Sequence, residues 1–142
     1  MKLRIKGNSL RLRLTQSEVT QLGETGRVSE TIKFGVRPDQ ELTYTLESSV
    51  AAEKISSYFA DNQITVTLPL EKARMWIDTE MVGLSDEQNI HSSFTVEQIR
   101  DGKDDMAASE LLKLLIEKDF KCADGDPAED QSDAFPNPNM RC

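Results

Sequence analysis

Apolar side chains occupy every second position in two short runs, Leu3 and Ile5, then Leu10, Leu12 and Leu14, with cations in most of the places between. A period of two belongs to a strand with one dry and one wet face. Gly7-Asn8 separates the runs and supplies turn chemistry, so residues 2–6 and 9–14 read as a hairpin. Thr15-Gln16-Ser17-Glu18 then forms a capping box, because Glu18 can reach back to the Thr15 amide. A helix is expected from Gln16 to about Gly23, with Val19 and Leu22 inward and Gly26 in the left-handed position that stops it.

The same grammar returns 54 residues later. At that offset Asn8 meets Asn62, Leu10 meets Ile64, Leu12 meets Val66 and Leu14 meets Leu68. Thr15 meets Pro69, Val19 meets Ala73, Leu22 meets Trp76 and Val28 meets Val82. Between the two hairpins, Arg27–Gly35 and Glu41–Glu47 read as a strand pair joined by the turn Arg37-Pro38-Asp39-Gln40. Lys54–Phe59 and Ile64–Leu68 form the second hairpin, and Pro69 is expected at the first position of a second helix. Leu70, Ala73 and Ile77 make that helix's inward stripe, with Trp76 on its flank. Phe94–Ile99 reads as a strand, and 111–120, leucine-rich enough for a helix by propensity, alternates better as a strand buried on most of both faces. The pattern implies an α+β fold, a mostly antiparallel sheet or partly closed barrel with two short helices. It also suggests an internal duplication of a hairpin-helix-strand-strand unit, with half-repeats 1–50 and 54–120 inside a single domain, 1–142.

Charge narrows the function classes. The chain carries a net charge of −8, the wrong sign for gripping a phosphate backbone or an anionic membrane surface, so neither nucleic acid nor membrane is an expected partner. No apolar run reaches the length of a signal-peptide core or a membrane helix, so a cytoplasmic location is expected. In that compartment Cys122 and Cys142 should stay thiols. Two cysteines and the single histidine, His91, fall one ligand short of a structural zinc site, and no nucleotide-binding motif is present, so no cofactor is expected.

Two polar features stand out. Lys2, Arg4, Lys6, Arg11 and Arg13 place five cations and no acid in the first 13 residues, and alternation puts them on the outer side of the hairpin. Near the other end, Asp119, Asp124, Asp126, Glu129, Asp130 and Asp133 place six carboxylates in fifteen residues. Their spacing fails the calcium-loop pattern, since a loop started at Asp124 has Glu129 where glycine is required and Phe135 where glutamate is required. The acidic segment 121–142 is nevertheless expected to dock on the body, through Phe120, Phe135 and Met140. His91-Ser92-Ser93 lacks the elbow motif that presents a nucleophile, and Gly23-Glu24-Thr25-Gly26 is explained by helix termination.

The run Glu117-Lys118-Asp119-Phe120-Lys121-Cys122, followed by Glu129-Asp130, Asp133 and Phe135-Pro136-Asn137-Pro138, resembles the C-terminal signature of an uncharacterised family of small bacterial proteins. The opening Leu3-Arg4-Ile5-Lys6-Gly7-Asn8-Ser9-Leu10-Arg11 is similar to that family as well. The resemblance spans most of the chain, implies a bacterial cytosolic protein and implies no activity. No complete catalytic set is present, so the sequence favours a non-catalytic binding or interaction module of a bacterial cytoplasm. Its partner would be a protein or a small molecule, and the oligomeric state stays open. The candidate ligand-binding residues are Arg4, Lys6, Arg11, Arg13, Asp119, Cys122, Glu129, Asp130 and Asp133. The alternative is a divalent-metal-dependent hydrolase that uses the tail carboxylates with His91.

Overall fold

The alternating runs fold as hairpins, and each hairpin ends in a helix. The computed structural model describes residues 1–90 and 110–139. The chain runs through β1 (Lys2–Ile5), β2 (Ser9–Leu14), α1 (Gln16–Thr25), β3 (Arg27–Lys33) and β4 (Glu41–Ser49). It continues through β5 (Ser56–Ala60), β6 (Gln63–Pro69), α2 (Leu70–Asp78), β7 (Gly83–Asn89) and β8 (Leu111–Lys118). The expected strand at Phe94–Ile99 lies outside the described residues.

Two four-stranded sheets result, ordered β1-β2-β8-β7 and β3-β4-β6-β5. The α+β class holds, and most strand pairs are antiparallel, but the strands form two mixed sheets rather than one sheet. In each sheet the outer pairs are antiparallel and the middle pair, β2 with β8 or β4 with β6, is parallel. The reason is topological: β2 and β6 both run into helices, so neither can turn directly into its second neighbour. Nor do the sheets close into a barrel through main-chain bonds. Side chains bridge their edges instead. The Gln88 amide on β7 accepts from the Ser57 amide on β5 at 2.7 Å and donates to the Ser57 carbonyl at 3.0 Å, acting as a strand neighbour for that edge. At the opposite edge the Met1 ammonium pairs with Glu30 on β3, and the Tyr44 hydroxyl donates to Glu30 Oε2 at 3.0 Å. Capped edges are poor templates for association with other chains.

The inward positions of both sheets share one core with the helices. Leu12, Leu14, Leu114 and Ile116 come from one sheet, Leu46, Val66 and Leu68 from the other, and Val19, Leu22, Ala73 and Trp76 from α1 and α2. β8 keeps the alternation of a one-faced strand, with Leu114, Ile116 and Lys118 buried, rather than burial on both faces. Trp76 belongs at the centre of the α2 stripe, not on its flank, since it is fully buried and its indole N–H donates to the Val82 carbonyl at 3.1 Å. Pro69 precedes the helix with extended backbone, so Leu70, not Pro69, is the first helical residue. Val82 lies before β7 and is exposed, so it is no counterpart of the buried Val28.

Local signals set the joints. The Thr15 amide donates to Glu18 Oε2 at 2.8 Å, and Gly26 at φ 75° ends α1 with its amide on the Leu22 carbonyl at 2.9 Å. Asp61 and Asn62 take φ 49° and 59°, the paired left-handed conformation that matches hairpin twist between β5 and β6. Trp76→Ala should cost about 3–5 kcal/mol of unfolding free energy in urea titrations followed by circular dichroism. A loss below about 1 kcal/mol would show that the two helices are not anchored there.

Candidate functional site

The site is built where β8 ends. Leu112, Leu114 and Ile116 face inward, so strict alternation turns the next member of the row, Lys118, inward too. Lys118 is 6% exposed. Its ammonium donates to the Thr79 carbonyl at 2.5 Å and lies 5.8 Å from the Trp76 ring centre and 5.5 Å from that of Phe135. No carboxylate among the described residues forms an ion pair with it. Burial lowers its pKa, and Glu80 opposes that shift only through space.

The segment after β8 completes the wall. The Phe135 amide donates to the Asp119 carbonyl at 2.7 Å and the Lys121 amide to the Phe135 carbonyl at 2.9 Å, a one-bridge parallel ladder that sets the two phenylalanine rings 5.9 Å apart. Gln131 closes the intervening loop. Its side chain accepts from the Cys122 amide at 2.7 Å and returns a bond to the Cys122 carbonyl at 3.3 Å. Between this segment, the α2–β7 connection and the outer side of β2 lies an open cleft of about 920 Å³. Arg11, Arg13 and Lys118 line it together with Asp78, Glu80 and Glu117, and Phe120, Phe135, Pro136 and Pro138 give it an apolar side.

Of the residues singled out in the sequence, Arg11, Arg13 and Cys122 reach this cleft. Both arginines turn to one carboxylate: Arg11 Nε bonds Glu117 Oε2 at 2.7 Å, and Arg13 Nε lies 3.7 Å from the same oxygen. That sharing answers a local problem, since Lys2 stands opposite Arg13 and Arg4 opposite Arg11 in the β1–β2 register. Like charges facing each other across a ladder destabilise it. Lys2 finds Asp119 at 2.8 Å and also pairs with Glu129, which joins the basic stripe to the acidic segment. Arg4 and Lys6 stand exposed, away from the cleft. Asp133 caps α1, accepting from the Ser17 amide at 3.2 Å and from the Ser17 hydroxyl, and the hydroxyl bond holds its pKa below the usual carboxylate range. Asp130 accepts from the Ser132 amide at 2.9 Å, and this turn lowers its pKa. Cys122 is disulfide-bonded, which corrects the expected thiol; Cys142, the only other cysteine of the chain, lies outside the described residues.

Among the described residues, no group of three or more His, Cys, Asp or Glu side chains could hold a metal ion, and His91 lies outside them. Nor is any helix among the described residues long and apolar enough to cross a membrane. A second hollow, about 310 Å³, lies between the two hairpins and is lined chiefly by Ile5, Leu10, Phe59, Ile64 and Leu112. It holds no charged group.

A separate polar cluster surrounds the Met1 ammonium, which pairs with Glu18 and Glu30. Burial works against the charged amine, yet the two carboxylates outweigh it and raise its pKa. Burial and then the Glu30 hydrogen bond push the Tyr44 phenol up to about 12. Because the folded value exceeds the ordinary 10.0, Tyr44's contribution to stability is complete below pH 10 and is lost as pH rises towards 12.

A two-sheet α+β fold with a cleft at one strand end is the class these observations define. The chain belongs to a family of unknown function, DUF7009, whose model matches residues 1–104 and 96–139. No curated protein matches it, and no solved structure does either.

Phe135 and Tyr44 can each be tested by substitution. Phe135→Ala removes a ring packed against the core and should lower the melting temperature by roughly 4–8 °C, from a cost near 2 kcal/mol. An unchanged melting temperature would show that the segment after β8 does not support the body. In a Tyr58→Phe background Tyr44 is the only phenol, and its absorbance titration should have a midpoint of about 12. Adding Glu30→Gln should move that midpoint down, and a midpoint unaffected by Glu30 would discard the cluster as the cause.

Proposed function

We propose that this protein is a non-catalytic binding module whose ligand enters the cleft beside Lys118. The observation that carries this reading is a buried cation with ligand-accessible space at its side and no carboxylate partner among the described residues. Keeping an ammonium out of water costs free energy unless something answers its charge. A carbonyl and two ring faces answer it in part. Ligand pockets commonly measure about 300–1,000 Å³ and combine apolar walls with a few placed polar groups, as this cleft does. The metal-dependent alternative draws no support from the described residues.

An internal duplication is supported by the registers: adding 54 to the β1–β2 pairs Leu3↔Leu12 and Ile5↔Leu10 gives the β5–β6 pairs Ser57↔Val66 and Phe59↔Ile64. The buried helix residues Val19 and Leu22 become Ala73 and Trp76 by the same addition. One compact unit with the segment 121–142 docked on its body fits the Lys2 pairs and the Asp133 cap. A bacterial, cytoplasmic setting is the expectation from sequence, and the Cys122 disulfide weighs against it, since such bonds are rare in reducing compartments. Alkylation of freshly lysed cells decides the point: a free Cys122 thiol supports the cytoplasm, a stoichiometric disulfide an oxidising compartment.

The binding reading is tested by screening a fragment library with ¹⁵N-labelled protein. Hits should cluster their shift changes on Lys118, Phe120 and residues 135–137, and quench or enhance Trp76 emission. Hits that consistently avoid these residues would discard the cleft as the binding site.

A further inference from the structure

The chemistry of the cleft walls narrows what it can hold. Three cations line it, Arg11, Arg13 and Lys118, against three carboxylates, Asp78, Glu80 and Glu117, so the empty cleft is close to neutral. The cations are not equivalent. Arg11 and Arg13 already have a carboxylate in Glu117, Arg11 as a close hydrogen-bonded pair and Arg13 at 3.7 Å. Lys118 differs from both: it is buried, it has no carboxylate partner among the described residues, and of its ammonium's three N–H groups one goes to the Thr79 carbonyl. A polyanion such as a nucleoside diphosphate would need more than this single cation and would face Asp78 and Glu80 in the same cleft. A cation would face Lys118. A neutral polar molecule would leave the ammonium's charge unanswered. Beside Lys118 the walls are the rings of Phe120 and Phe135 and the prolines Pro136 and Pro138, which suit an aliphatic or aromatic body.

We infer that the cleft binds an organic monoanion, a carboxylate carried on an apolar body, with the carboxylate on the Lys118 ammonium and the body against Phe120, Phe135 and the two prolines. This inference rests on the reading of the cleft as a binding site and adds the class of ligand. Lys118 would be the specificity determinant, because charge-assisted bonds made away from water are the strong ones and because the other two cations are more exposed and already face Glu117.

The test compares isosteric pairs that differ only in charge, octanoate with octanamide and 4-phenylbutyrate with 4-phenylbutanamide. Inorganic phosphate serves as a compact, more highly charged competitor. Affinity is read by calorimetry at pH 7 and by Trp76 emission, since the ring lies beside the Lys118 ammonium. Each carboxylate should bind roughly tenfold or more tightly than its amide, and phosphate should not displace it. Lys118→Met keeps the length and apolar stem of the side chain and should abolish the preference, leaving acid and amide alike. Circular dichroism confirms that the variant is folded, and Lys118→Arg, which keeps the charge, should retain at least part of the preference. Equal binding of acid and amide to the native protein, retention of the preference in folded Lys118→Met, or tighter binding of phosphate than of either acid would overturn the inference. Failure of both acids to bind while uncharged fragments occupy the cleft would also overturn it and leave the binding reading standing. Fragments that all avoid the cleft would remove both.

Discussion

The parallel pairing of β2 with β8 is the contact on which the rest of the molecule depends. It matches Leu10 with Leu114 and Leu12 with Ile116, joining residues about a hundred positions apart into the middle of one sheet. Its counterpart, β4 with β6, matches Tyr44 with Ile64 and Leu46 with Val66. The first sheet therefore joins a strand pair near the start of the chain to one near its end, and the second joins two pairs that follow one another within residues 27–69. The core between the sheets exists only when both pairings form. Such non-local parallel pairs are entropically costly to bring together, so their cost must be offset by the apolar area they cover. The buried leucines and isoleucine of these four strands, with Trp76 between the helices, supply that area.

The same pairing places the charged groups. Once β8 lies beside β2, Glu117 falls opposite Arg13, and two arginines that would repel their β1 neighbours gain a common partner. The chain emerging from β8 then passes Lys2, which binds Asp119 and Glu129, before Asp133 reaches the first turn of α1. The basic stripe and several of the tail acids, each a plausible ligand site alone, are in this way turned largely towards one another and the backbone. Exposed pairs of this kind contribute little stability individually, and their effect is chiefly on register and position. Lys118 is the exception. It is held inward by the alternation of its strand, and its charge is met by a carbonyl and aromatic faces instead of an acid.

Much of the local structure could be read directly from residues. The hairpins, the capping box at Thr15 and Glu18, the glycine stop at Gly26 and the turn at Asp61-Asn62 all depend on neighbours within a few positions, and these appear where their patterns lie. β7 could not be read that way, because Gly83-Leu84-Ser85-Asp86-Glu87-Gln88-Asn89 has little strand propensity and owes its form to pairing with β8. Trp76 was misplaced by a stripe drawn through Leu70 and Ile77, which are only half-buried; the facing helix α1 decides which side of α2 is dry. Lys118 was overlooked as a site residue, yet its signal was present. A strand reading of 111–118 with Leu112, Leu114 and Ile116 inward already points a lysine into the core.

The sequence by itself determined both helices and most of the strands, where most of them end, and the apolar face of the hairpin strands, because periodicity and turn chemistry act over a few residues. It also determined that the chain has no strongly cationic surface overall, since net charge is a sum over residues and needs no coordinates. Only the tertiary structure decided that the middle pair of each sheet is parallel, that the sheets remain two rather than closing into a barrel, and that Arg11, Arg13 and Lys118 share a cleft with Phe120 and Phe135. Those outcomes depend on which distant apolar faces meet. Many pairings satisfy the same alternation, and only mutual burial of the whole set selects among them.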